Sequence, residues 1–126
     1  MNKDVGNFEK LEVWQKSCQL SVSIFKLFDN CKYFGLKDQV LRSSVSIPSN
    51  IAEGSERGSK KDFIRFLCYS KGSAAELLTQ IYISYKIGYI TDTDKLEIIS
   101  EIRSISKMLQ GLINSLNRQQ PITDNR

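Results

Sequence analysis

No histidine occurs among the 126 residues. Imidazole bases, His-Asp relays and histidine metal ligands are excluded at once, and much of enzyme chemistry goes with them. Cysteine is scarce too: Cys18, Cys31 and Cys68 are too few and too scattered for a zinc knuckle, a CxxC redox pair or a disulfide framework. That usage points to a reducing, cytoplasmic setting. The longest uncharged stretches, Ser43 to Ala52 and Met108 to Asn117, are ten residues each, against about 18 needed to span a bilayer. No transmembrane helix is expected. The first ten residues carry Asp4 and Glu9 and lack the basic, apolar, small-residue order of a signal peptide, which again favours the cytoplasm.

What is present suits one all-α domain. Apolar residues make up 40% and charged residues 25% of the chain, too apolar for disorder and normal for a globular protein. The length leaves room for a single core, taken as residues 1–126 with the packed part from about 8 to 118 and frayed ends. Only Pro48 and Pro121 are prolines, and Gly6, Gly35, Gly54, Gly58 and Gly88 divide the chain into long segments without breakers.

Each segment has helical periodicity. From Phe8 to Asn30, one helix is predicted, with Leu11, Trp14, Cys18, Val22, Phe25 and Phe28 on one stripe and Val13, Leu20, Ile24 and Leu27 on a second. Two stripes are wider than one bundle needs, so something else must cover the excess. Ser59 with Asp62 resembles a capping box and opens a helix carrying Phe63, Leu67, Ser70, Ala74, Leu77, Ile81 and Ser84 in 4-3 spacing. Cys68 joins a secondary apolar stripe there with Ile64, Ala75, Leu78 and Tyr82. Thr91 to Asp94 opens the last helix, with Ile98, Ile102, Ile105, Leu109, Leu112 and Leu116. A connection of a few residues forces these two long helices to be antiparallel neighbours. Leu36 to Ala52 reads as a further helix, either kinked at Pro48 or broken at Ile47 with a new helix starting at Pro48. Ser43, Ser46, Ser49 and Asn50 are expected to solvate the carbonyl of Ser44 that proline leaves free.

The candidate chemistry is sparse. Ser23 with Lys26 and Ser104 with Lys107 have the Ser-x-x-Lys spacing of a nucleophile and its base, but 16 serines and 12 lysines supply about one or two such pairs by chance. Asp92 with Asp94 suits a helix start, and Glu53 with Glu56 and Glu97 with Glu101 suit exposed positions. Gly54-Ser-Glu-Arg-Gly58-Ser59-Lys60 has the wrong spacing for a phosphate loop and no strand before it. It reads instead as a glycine-containing loop feeding a helix N-terminus. No catalytic residue, metal or cofactor is expected.

Charge is unevenly placed. The net charge is +4, and Lys32 to Lys71 holds eight basic against four acidic residues, while the rest of the chain balances at ten and ten. Arg42, Arg57, Lys60, Lys61 and Arg65 are the candidate contacts to an RNA or DNA backbone, with anion-friendly N–H groups at the helix start. Lys61 and Arg65 fall on the polar face of their helix, where Asp62 is within reach of Arg65; Phe63 and Phe66 fall toward the core, leaving no evident stacking platform.

Phe8-Glu-Lys-Leu11-Glu-Val-Trp14, Gly35-Leu36 with Gln39, Val45-Ser-Ile-Pro-Ser-Asn-Ile-Ala-Glu-Gly54 with Arg57, and Phe63-Ile-Arg-Phe-Leu67 with Gly72-Ser73 and Glu76-Leu77 resemble the bacterial 23S rRNA-intervening-sequence protein family, also called the S23 ribosomal protein family. The resemblance implies a four-helix bundle assembled as a homopentameric ring, encoded in many members by insertions within 23S rRNA genes. A likeness to the accessory protein of diversity-generating retroelements implies nucleic-acid binding and a reverse transcriptase as partner. Members often carry two arginines where this chain has Leu41-Arg42, and more basic residues where it has Ser43 and Cys68-Tyr69-Ser70, so its patch is the weaker. Two functions are thus expected to compete: a non-enzymatic oligomer that contacts nucleic-acid backbones, and a homo-oligomeric interaction scaffold that does not.

Overall fold

The computed structural model describes residues 7–119; the expected fraying of both ends falls outside them. A short 3-10 turn, Phe8–Lys10, precedes four helices: α1 (Glu12–Leu27), α2 (Phe34–Glu56), α3 (Lys60–Lys86) and α4 (Asp92–Arg118). The chain runs up and down, α1 against α2, α2 against α3, α3 against α4, with α4 closing onto α1. This is an antiparallel four-helix bundle. The predicted first helix is therefore shorter than expected, because extended backbone at Leu11 separates the 3-10 turn from α1.

Two left-handed glycines make the sharp reversals. Gly58, at φ +88°, separates α2 from α3, and Gly88, at φ +84°, ends α3. At the second, Gly88 N–H donates to Tyr85 O (3.0 Å) and Tyr89 N–H to Ser84 O (2.9 Å), the paired bonds of a Schellman ending. The expected caps form at both following helices: Ser59 Oγ accepts from Asp62 N–H (3.1 Å), and Thr91 Oγ1 accepts from Asp94 N–H (3.0 Å). Gly35 and Gly54 do not punctuate the chain as the sequence suggests; both lie inside α2.

The core follows the predicted stripe of α3 at all seven positions, and that of α4 at all but the half-buried Leu112, with Ile99 and Ile113 added. In and around α1 the second stripe is the more buried, while of the first stripe Phe28 is fully buried and Leu11 and Trp14 pack against the core. Val13, Leu20 and Ile24 face the core with Ser17 and Ser21, whereas Val22 (55% exposed) and Phe25 (48%) point outward. Cys68 also departs from expectation: it is exposed, as are Ala75 and Tyr82, whereas Ile64 and Leu78 of the same stripe are half-buried against the core. Cys31 is buried and Cys18 half-buried, where lost hydration pushes its thiol pKa up.

α2 passes through Pro48 as one continuous helix, which removes the alternative of a second helix beginning there. The freed carbonyl of Ser44 is satisfied from another element: Ser21 Oγ on α1 donates to it at 2.8 Å in a buried position. Ser46 and Asn50, expected to help, instead bond back to Arg42 O and Ser46 O within α2. Nearby, Ser70 Oγ of α3 donates to Ile47 O at 2.8 Å. Buried serines thus tie α2 to both neighbours at the level of the proline.

Candidate nucleic-acid interface

The α2–α3 corner is built by close packing. A Cβ on Gly54 would lie 2.6 Å from Phe66 Cβ and 3.3 Å from Phe63 O, so the missing side chain lets the two helices approach here. Phe66 is buried, yet both guanidiniums of the corner lie over its ring, Arg57 Cζ and Arg65 Cζ each 4.9 Å from the centroid. Arg65 also donates to the Tyr69 hydroxyl at 3.3 Å, and Tyr69 packs edge-on against Phe66 with ring centroids 5.2 Å apart. Four of the five predicted contacts, Arg57, Lys60, Lys61 and Arg65, come together around the Gly58 turn.

Arg42 does not join them. It lies on α2 fifteen residues before Arg57, about 22 Å along the helix axis at 1.5 Å per residue. Carboxylates also hold three of the five: Arg42 pairs with Asp38 (2.7 Å), Arg57 with Glu53 (2.9 Å) and Arg65 with Asp62 (3.0 Å). The last was foreseeable from spacing. Hydrogen bonding from Arg65 is the main reason the Asp62 carboxyl lies below the usual range, while the Tyr69 hydroxyl and then Asp62 hold Arg65 more firmly protonated. Lys60 Nζ donates to Gln119 O at 2.6 Å, linking the corner to the end of α4, whereas Lys61 makes no ion pair among the described residues. Solvated pairs of this kind are weak, because water screens them and two side chains lose freedom. A phosphate can therefore compete for these arginines.

A second set of cations was not picked out from the sequence. Lys71 of α3 and Arg103 and Lys107 of α4 line one groove, to which no carboxylate contributes. On the other flank of α4, Asp94, Glu97 and Glu101 line the groove shared with α1. Partial loss of hydration, then the neighbouring Glu97, raises the Glu101 carboxyl above its ordinary range, and Lys16 opposes them. The signal was the angular position of charges around α4, which a tally along the chain averages to zero.

Among the described residues no helix is long and apolar enough to cross a membrane, and no three His, Cys, Asp or Glu residues are grouped to hold a metal ion. Architecture and corner alike are those of a small all-α bundle with basic residues at one end. Residues 9–111 match the 23S rRNA-intervening sequence protein family, and the chain belongs to it. It is similar to a crystal structure from Bacteroides thetaiotaomicron VPI-5482, described as a protein with unknown function from the S23 ribosomal protein family. The TM-score is 0.75 and the identity 30%, covering 80% of this chain and 97% of that one. No curated protein matches the chain.

Proposed function

We propose that the protein is a non-enzymatic, cytoplasmic homo-oligomer that binds RNA or DNA through the phosphate backbone. The observation that carries this reading is the placing of Arg57, Lys60, Lys61 and Arg65 around one turn of the bundle, with the guanidiniums of Arg57 and Arg65 each 4.9 Å from the Phe66 ring centroid. Such a patch supplies point charges and charge-assisted hydrogen bonds to phosphate oxygens but no arrangement for reading base edges. Catalysis is not part of the proposal, because a chain without histidine offers no constellation that improves on a structural explanation of its serines and carboxylates.

A salt titration of binding to single- and double-stranded RNA and DNA tests it, with Lys61→Ala/Arg65→Ala beside the parent. Affinity is expected to fall steeply with salt, to depend little on base sequence and to drop severalfold in the double variant. Absence of binding at low salt would remove the proposal. The ion pairs of Arg42, Arg57 and Arg65 favour a second reading in that event, a homo-oligomeric scaffold whose basic residues serve solubility.

A further inference from the structure

We infer that the α3–α4 groove is a seat for a nucleic-acid strand, and that Lys71, Arg103 and Lys107 form its phosphate contacts. The inference rests on the nucleic-acid reading above and extends it to residues outside the corner. Three observations support it. First, none of the three cations holds an ion pair among the described residues. Lys71 Nζ donates to the neutral Gln110 Oε1 at 2.5 Å, which positions the ammonium without cancelling its charge. Their charge is thus not offset by a paired carboxylate, unlike that of Arg57 and Arg65.

Second, charge is sorted around α4. Its carboxylates Asp94, Glu97 and Glu101 line the α1 side, and its bases Arg103 and Lys107 the α3 side. A polyanion lying on the α3 side meets attraction without facing those acids. Third, the groove lies along the same α3–α4 seam that Lys60 of the corner bridges. Lys71 lies ten residues beyond Lys61 on α3, about 15 Å along the axis. The bonds Lys60–Gln119 and Lys71–Gln110 run antiparallel rungs between α3 and α4 along that length. The hydroxyls of Thr79 and Ser106 add hydrogen-bonding groups, and the exposed Ala75 and half-buried Leu78 offer an apolar floor. Unpaired bases can lie against such a floor, whereas a duplex keeps its bases stacked inside; a single strand is the better fit.

The test uses the full chain and fluorescence anisotropy with a labelled 20-nucleotide single strand, RNA and DNA in separate arms, and a duplex of the same sequence. Lys71→Gln/Arg103→Gln/Lys107→Gln is expected to weaken single-strand binding at least tenfold and to flatten its dependence on salt, while the parent prefers single strand to duplex. Thr79→Glu, a change at an exposed position, places a carboxylate in the groove and is expected to weaken binding severalfold even if the triple variant folds poorly. Asp94→Asn/Glu97→Gln is expected not to weaken it. If Lys61→Ala/Arg65→Ala reduces binding while both groove variants leave it intact, this inference falls and the proposed function stands. If the parent binds no strand at low salt, both fall. If the triple variant lowers the oligomer's mass without lowering affinity, the groove is a contact between copies and the inference is overturned.

Discussion

Ser21 shows how much one hydroxyl can carry in a small core. Pro48 leaves the Ser44 carbonyl without its helical donor, and Ser21 supplies a replacement from α1 at 2.8 Å. Ser21→Ala is expected to cost about 1–3 kcal/mol, the usual range for leaving a buried polar group unpaired. With Pro48→Ala, the restored N–H can bond Ser44 O within α2, so Ser21→Ala should then cost less. Urea unfolding of the four proteins in that cycle measures the coupling, and equal costs in both backgrounds would refute the assignment. Gly54 makes the opposite point, an atom that must be absent. Alanine is the better helix former by about 1 kcal/mol, but its Cβ would press on Phe66 Cβ at 2.6 Å, an atom fixed to the backbone of α3. Overpacking of that kind costs about 1–3 kcal/mol, so Gly54→Ala is expected to lower the urea midpoint.

Among the elements, α3 and α4 were the most readable. Both run 27 residues, both carry one 4-3 stripe, and both begin at a side chain that caps them. α1 was harder, because its two stripes are similarly apolar and only the positions of α2 and α4 decide which is buried. α4 also carries a pH-dependent term. Partial loss of hydration at the still exposed Glu101, and then the charge of Glu97, favour its protonated form in the folded protein. Between the unfolded and the raised folded pKa, the folded state binds more protons than the unfolded chain, so this contribution to stability is lost as pH rises. Thermal midpoints measured from pH 4 to 7 are expected to show Glu101→Gln gaining on the parent as pH increases. A constant difference between the two proteins would contradict this.

At the scale of the whole molecule, apolar surface remains uncovered. Val22, Phe25, Phe34, Ile83, Ile87 and Leu96 are all exposed, Phe34 at 72% and Leu96 at 59%. Single exposed apolar residues are ordinary, and in the proposed homo-oligomer these are the side chains available to contacts between copies. Light scattering at micromolar concentration is expected to return a multiple of the 14.4 kDa chain mass, five by family resemblance. A single-chain mass would end the oligomer reading. Assembly would also bring several basic corners together, and multivalent contact with one strand would then exceed the affinity of any single copy.

Helix number, the antiparallel hairpin of α3 and α4 and both capped starts are legible in the sequence, because periodicity, capping and glycine reversals act over a few residues. The basic cluster at Arg57 to Arg65 is legible for the same reason, its members being neighbours in the chain. Tertiary packing decided the rest. Which stripe of α1 is buried, that Cys68 faces solvent, and that Pro48 is served by Ser21 depend on elements distant in sequence. The same holds for Lys71, Arg103 and Lys107, which become neighbours only when α3 and α4 pack, since burial and charge act through space and not along the chain.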